Sequence, residues 1–262
     1  MDTSLFLGIK LKGENLAKKY VILDTETTGT GELDRVIQLG FIVLGGKDIE
    51  VQNEFFSSSV PISFGAMEVH GITPAMIKDK PALIESTSYK RLQELNTDEN
   101  YLIIHNAPFD IGMLEKEGFK TQMRVIDTLR VAKHMFPDEE AHRLQYFRYK
   151  MGLYMLEQKE ADELGVTIKA HDAIGDVLVL KLFLSKLKEA VISHFPDDNP
   201  VDKMVDLTLT PILIKSFSFG KYKGKTLAEV AHSDAAYLRW MLSGMENLDD
   251  DMRYSINTAL GN

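Results

Sequence analysis

Three short β-branched apolar runs stand close together in the first part of the chain: Tyr20–Asp24 (YVILD), Val36–Leu44 (VIQLGFIVL) and Glu50–Phe56 (EVQNEFF). The first ends at the Thr/Gly turn TETTG, and Gly45-Gly46 separates the second from the third. Runs of this length bounded by turn residues read as strands, and the short connections between them predict an antiparallel meander. The pattern then changes. Tyr101–Ile104 (YLII) is a fourth strand that runs into HNAPFDIGMLEKEG, where Pro108 and Gly118 bracket a helix. Arg124–Ile126 gives a fifth strand, followed by the helical DTLRVAKHMF, and Thr73-Pro74 marks another helix start. From Ala173 onward, Val177, Leu180, Leu184, Leu187 and Val191 recur at three- and four-residue spacing, which turns one helix face to a core. A meander followed by strand–helix alternation predicts an α/β fold, a mixed sheet flanked by helices.

This domain is expected over residues 1–192. SHFPDDNP opens a stretch rich in proline and acid, which predicts a linker or long loop over 193–210. Residues 211–262 then read as a small α+β module. In it ILIKSFSF alternates like a strand, GKYKGK is a turn, and TLAEVA and AAYLRWMLSG are helical.

Composition narrows the function classes. With 30 basic against 39 acidic residues the net charge is −9, which argues against a protein that holds polyanions through a general basic surplus. Carboxylates that hold divalent cations reverse that sign locally. The chain has no cysteine, so a disulfide scaffold, thiolate metal ligation and a cysteine nucleophile are all excluded. No apolar run approaches the ~18–20 residues that cross a bilayer. Leu5–Ile9 is too short, and lacks the preceding basic region, for a secretory signal. The expectation is a soluble cytoplasmic protein without a membrane partner.

Chemistry concentrates at strand ends and helix starts. Side chains two apart on a strand share a face, so Asp24 and Glu26 project together at the carboxyl end of the first strand. Open α/β sheets bind their ligands at that end. Two adjacent carboxylates repel unless a proton or cation lies between them, although a lone DxE is also a common solvated strand end. Asp110 and Asp176 each stand in the first turn of a predicted helix, where the helix dipole alone favours an acid. His171 precedes Asp176 by a step that turns about 500° on a continuous helix, so the two share a site only if His171 lies in the loop before it. Asp172 is then a candidate cap for that helix. Four carboxylates without cysteine suit Mg²⁺ or Mn²⁺, and four negative charges balance two divalent ions.

The blocks VILDTETTG, IHNAPFDIGML, VIDTLRVA and HDAIGDVLVL resemble, in this order, the motifs of the DEDDh 3′–5′ exonucleases. That group includes the proofreading subunit of bacterial DNA polymerase III. The resemblance covers roughly residues 18–190 and implies a ribonuclease-H-like fold with a two-metal active site. It assigns the metal-ligand role to Asp24, Glu26, Asp110 and Asp176, and the general-base role to His171. The sister group carries a tyrosine four residues before the last aspartate; that position here is Asp172, so the histidine variant fits. The resemblance also places Thr27 and Thr28 beside the terminal nucleotide and makes Val69 and His70 contacts to its base or sugar. A structural His70 packed in a loop is the competing reading. Asn106 and Phe109 are candidate contacts to the next nucleotide, with Asn106 alternatively a helix cap. Asp127 reads as an N-cap and His105 as structural.

In the C-terminal module, GKYKGKT misses the phosphate-loop spacing, because only three residues separate Gly220 from Gly224. Lys215, Lys221, Lys223 and Lys225 interleave with Phe217, Phe219 and Tyr222, a pattern that suits either a nucleic-acid grip or an ordinary hairpin with solvated lysines. Trp240, at helical spacing from Tyr237, reads as core. FGKYKGKT and YLRWML are similar to the C-terminal region of exodeoxyribonuclease X-like proteins, which favours a freestanding nuclease over a polymerase-bound one.

The expected function is metal-dependent removal of nucleotides from DNA 3′ ends, in proofreading, repair or end trimming. An exoribonuclease and a non-catalytic polymerase accessory module are the alternatives. The expected partner is single-stranded or 3′-terminal nucleic acid, DNA ahead of RNA, with DNA polymerase III and a second copy of the chain as further candidates.

Overall fold

The computed structural model describes residues 18–46, 48–167 and 173–261. It divides into two compact units whose boundary falls between Thr208 and Leu209. In the first unit, strands β1 (Tyr20–Thr27), β2 (Val36–Leu44) and β3 (Glu50–Phe55) form the meander. Three helices follow: α1 (Phe64–His70), α2 (Pro74–Ile77) and α3 (Thr87–Leu95). Next come β4 (Tyr101–Ile104), α4 (Ala107–Lys116), β5 (Arg124–Asp127), α5 (Thr128–Met135), α6 (Leu144–Lys150), α7 (Glu157–Leu164), α8 (Ala173–His194) and α9 (Pro200–Leu209). The sheet order is β3-β2-β1-β4-β5, with β1 antiparallel to β2 and parallel to β4. The mixed sheet flanked by helices is the architecture expected of a ribonuclease-H-like α/β fold.

Strand periodicity divides the core in two. Ile22, Ile42, Tyr101, Ile103 and Ile126 point to one face and pack against α5, α6, α8 and α9. Val21, Leu23, Leu39, Phe41, Leu102 and Ile104 point to the other and pack against α3 and α4. Asp24 and Glu26 continue the first of these faces, since side chains alternate along a strand. They are thereby aimed at the side covered by α8.

The stretch 193–210, expected to be a linker or long loop, holds the end of α8 and all of α9. Met204 and Leu207 of α9 are buried in the core of the first unit. Pro200, the second of the two prolines that suggested a linker, is the first residue of α9, where its missing N–H costs nothing. The side chain of Asn199 caps it by accepting from the N–H groups of Val201 and Asp202 at 3.0 and 3.2 Å. Proline and acid here mark a helix start.

The second unit contains α10 (Leu227–Ser233), α11 (Ala235–Gly244) and α12 (Asp250–Leu260) around Phe217, Val230, Leu238, Met241, Met252 and Ile256. Where a strand was expected in ILIKSFSF, the described residues show a single bridge, Ser216 to Thr226. Among the described residues the module expected to be α+β is therefore helical apart from that bridge. The turn between its two residues needs left-handed backbone at Gly220 (φ 72°) and Gly224 (φ 87°), which explains the glycines of GKYKGK without any phosphate. No helix among the described residues is long and apolar enough to cross a membrane.

Candidate active site

The carboxyl end of β1 and the start of α8 meet because β2 has a glycine at the crossing. Gly40 pairs with Asp24 across the ladder. A Cβ on Gly40 would lie 2.8 Å from the Ile174 nitrogen and 2.9 Å from the Ala173 carbonyl carbon. Only a bare backbone lets α8 begin this close to the sheet. Beside it the buried amide of Gln38 accepts from the Ala173 N–H at 3.4 Å and donates to Asn53 at 2.9 Å. Asp176, in the first turn of α8, is thus delivered to the β1 end. One oxygen each from Asp24, Glu26 and Asp176 gathers with the others within 4.8 Å. The ladder register shifts between Glu26 and Thr27, a bulge of the kind that re-aims side chains beside ligand sites. Three convergent carboxylates are hard, anionic donors that fit a divalent cation of the Mg²⁺ or Mn²⁺ type.

Asp110 approaches from the other side of β1. It is buried in the first turn of α4, and its Oδ1 accepts from the Thr25 N–H at 3.0 Å and the Thr25 hydroxyl at 2.7 Å. Burial pushes its pKa up to about 7, against the hydrogen bonds from Thr25, which favour the charged form. Asp110 is not among the three gathered carboxylates. Asp127 caps α5, accepting from Leu129 at 2.9 Å and Arg130 at 3.4 Å, and also takes the Asn106 N–H at 3.0 Å.

Asp176 has a support that sequence reading missed. Gln145 Nε2 donates to Asp176 Oδ1 at 2.7 Å, while Arg148 Nη1 donates to Gln145 Oε1 at 3.2 Å. A guanidinium has only donors, so it turns the Gln145 oxygen towards itself and the amide NH₂ towards Asp176. Arg148 is fixed in turn by a two-pronged pair with Glu157, at 2.5 and 2.6 Å, and Glu157 is only 4% exposed. We expect Gln145→Leu to weaken Mn²⁺ binding by about 10–100-fold, the usual effect of losing a partner behind a metal ligand, with the fold kept. Isothermal titration with the metal alone checks this; unchanged affinity would show that Gln145 does not position Asp176. No spacing rule links residues 145 and 176, so one sequence carries no sign of the pair.

The turn after β1 spends its polar groups internally. The Thr27 hydroxyl donates to the Gly29 carbonyl at 2.7 Å, and the Thr28 hydroxyl donates to Asp34 at 2.6 Å while accepting from the Arg35 N–H at 3.0 Å. His70 is buried. Its Nδ1 accepts from the Ile72 N–H at 2.9 Å, which leaves the proton on Nε2 to donate to the Thr27 carbonyl at 3.1 Å. Burial lowers its pKa, in keeping with a neutral ring. Nε2 thus clips the end of α1 to the strand end while Nδ1 holds the loop that follows the helix, which is the structural reading of this residue. Val69, next to it, is 59% exposed. Asn106 is exposed at φ 73°, the one non-glycine residue with positive φ among those described, and its side chain makes no cap bond. Phe109 packs against the α3–α4 side of the core. His171 and Asp172 lie outside the described residues.

Asp24 and Asp176 line a cleft of about 460 Å³ together with His105, Arg143, Leu144, Gln145, Tyr146 and Tyr149. His105 is held by Thr128 Oγ1 at 3.0 Å and the His142 carbonyl at 2.9 Å, and burial lowers its pKa to about 4. It is a neutral wall of the cleft at pH 7. Arg143 and Tyr149 are exposed and bring a cation and an aromatic face to the same opening.

Residues 21–183 match the model of a family described as Exonuclease, and residues 217–244 match one described as Exodeoxyribonuclease X-like C-terminal. Exodeoxyribonuclease 10 of Escherichia coli (strain K12) is 27% identical over 243 residues, covering 92% of this chain and 98% of that protein. DNA polymerase III PolC-type of Bacillus cereus is 36% identical over 170 residues, 62% of this chain and 11% of that one. Among solved structures, exonuclease X in complex with 5′-overhanging duplex DNA superposes with a TM-score of 0.54 at 20% identity, covering 72% of this chain and 99% of that one.

Proposed function

Given that the chain belongs to the exonuclease family, we propose that it hydrolyses DNA from the 3′ end, one nucleotide at a time, as a freestanding enzyme that uses two divalent cations. The convergence of Asp24, Glu26 and Asp176 at the end of β1 carries this reading. These three would hold the cations, Mg²⁺ or Mn²⁺, with Asp110 as the fourth carboxylate. A cation bound there supplies Lewis acidity towards a phosphoryl oxygen and makes a bound water more acidic. His171 takes the proton of the attacking water, a task suited to an imidazole whose ordinary pKa is about 6.5. Gln145 keeps Asp176 in place, and Arg143 offers charge to the phosphate that enters the cleft. Val69, Asn106 and Phe109 contact the last nucleotides. Thr27 and Thr28 shape the turn beneath them, and His70 locks that turn instead of touching the base.

Similarity to exodeoxyribonuclease 10 along 92% of the chain, the C-terminal unit included, supports a freestanding enzyme over a polymerase subunit and DNA over RNA. Matched DNA and RNA oligonucleotides, each with Mg²⁺, Mn²⁺ or EDTA, test the reading. We expect DNA to be degraded with either metal, RNA to be degraded at least about tenfold more slowly, and nothing to be degraded in EDTA. Faster loss of RNA would reassign the sugar, and cleavage that survives EDTA would overturn the metal chemistry.

A further inference from the structure

The second unit carries a row of aromatic rings that runs from its core to its surface. Phe217 and Tyr222 have ring centroids 6.3 Å apart, Tyr222 and Tyr237 5.0 Å, and Tyr237 and Trp240 5.6 Å. Phe217 is buried, the two tyrosines are half-buried, and Trp240 is 55% exposed. Sequence spacing placed Trp240 in the core; the structure instead lays it along α11, where a Cβ on Gly244 would come within 2.9 Å of the indole nitrogen. Glycine at that position makes room for the ring to lie against the helix backbone, with more than half of its surface open.

The row is flanked by cations. Lys221 Nζ stands 4.7 Å from the Tyr222 ring centre and 5.7 Å from that of Tyr237, and Lys225 Nζ stands 5.7 Å from Tyr222. Lys223 lies between them in the turn, and among the described residues neither it nor Lys225 has an ion-pair partner. The acid beside the row, Asp234, is already engaged: it accepts from the Tyr222 hydroxyl at 2.6 Å, Lys221 at 3.3 Å and the Tyr237 N–H at 3.2 Å. Glu229 is likewise turned back onto the Thr226 N–H and hydroxyl at 2.7 and 2.8 Å. What faces outward is the open Trp240 ring at one end of a row whose two tyrosines carry the lysines.

We propose that this surface grips single-stranded nucleic acid: an unpaired base stacks on Trp240, and Lys221, Lys223 and Lys225 follow the adjoining phosphates. Open rings accept any base, while the lysines require a polyanion, so together they select an unpaired nucleic-acid strand over an apolar peptide or a purely acidic one. Such a grip needs no metal, unlike the carboxylate site of the first unit. The choice of nucleic acid as ligand rests on the proposed exonuclease function.

Trp240 is the only tryptophan in the chain, so its emission reports on this surface alone. The full chain, held in EDTA, is titrated with an oligothymidylate of about 16 nucleotides, and in parallel with heparin as a polyanion without bases. The expected result is saturable quenching by the oligonucleotide and none by heparin. Oligonucleotide binding, seen by anisotropy of a labelled strand, without any change in emission would overturn the proposal, as would equal quenching by heparin. Trp240→Ala is expected to weaken oligonucleotide binding about tenfold and Trp240→Phe to restore most of it. Should Trp240→Ala fail to fold, Lys223→Glu supplies the second arm: it must raise the oligonucleotide concentration needed for half-quenching, and an unchanged midpoint counts against the grip. Metal-dependent cleavage with unchanged emission rejects the grip and keeps the nuclease, whereas quenching without cleavage in Mg²⁺ does the reverse.

Discussion

An Asp24→Asn protein should fold normally and degrade DNA at least about a thousandfold more slowly than its parent. The change keeps the shape of the side chain and removes one of three negative charges whose oxygens gather within 4.8 Å. Without metal, that removal relieves repulsion, so the variant should melt at or above the parent temperature. With metal the order reverses. Added Mn²⁺ binds the folded parent and raises its melting temperature by mass action, while the variant responds weakly or not at all. A paired measurement of thermal melting with and without Mn²⁺ separates this outcome from damage to the fold. If the variant is as strongly stabilised by Mn²⁺ as the parent, Asp24 does not hold a cation.

Gly40→Ala should damage the same site from a position that carries no chemistry. The added methyl has to share space with the Ile174 nitrogen at 2.8 Å and the Ala173 carbonyl carbon at 2.9 Å, both main-chain atoms that cannot rotate away. The start of α8 must retreat from β2, and overpacking of this kind costs about 1–3 kcal/mol. Asp176 rides on that first turn, so its oxygen leaves the cluster as the helix moves. We therefore expect both a lower denaturant midpoint and a weakened Mn²⁺ affinity, in contrast to Asp24→Asn, which affects only the second. Urea unfolding combined with metal titration checks the pair, and a Gly40→Ala protein with parental values of both would contradict the role given to this crossing.

Most of the scaffold was legible because strand signals here are local. YVILD, VIQLGFIVL and YLII are short, β-branched and bounded by turns, and each forms a strand where its composition places it. The shared face of Asp24 and Glu26 followed from side-chain alternation alone. Misreadings arose where composition and local pattern pointed different ways. SHFPDDNP looks like a linker by content, yet Asn199 and Pro200 are a cap and a first helical residue. ILIKSFSF alternates like a strand, but beyond the Ser216–Thr226 bridge its backbone bonds to α12 side chains, the Ile212 N–H to Asp251 at 2.9 Å and the Ile214 N–H to Ser255 at 2.7 Å, and not to a neighbouring strand. Trp240 has the spacing of a core residue and lies outside because Gly244 gives it a seat on the helix surface. Within the site, Thr25 beside Asp110 and Gln145 beside Asp176 depend on contacts between elements 85 and 31 residues apart, which no local rule reaches. Gly40 could have been found: a glycine inside a buried strand marks a close backbone approach.

In the proposed function the carboxylates at the end of β1 support stepwise hydrolysis from a 3′ end. The most direct measurement is a time course on a single-stranded DNA oligonucleotide labelled at its 5′ end, with Mg²⁺, resolved to single nucleotides. The expected result is a ladder of labelled products that shorten progressively from the 3′ end, absent in the Asp24→Asn protein. Early release of the labelled 5′ nucleotide, internal cleavage without a ladder, or an unchanged ladder in that variant would contradict it.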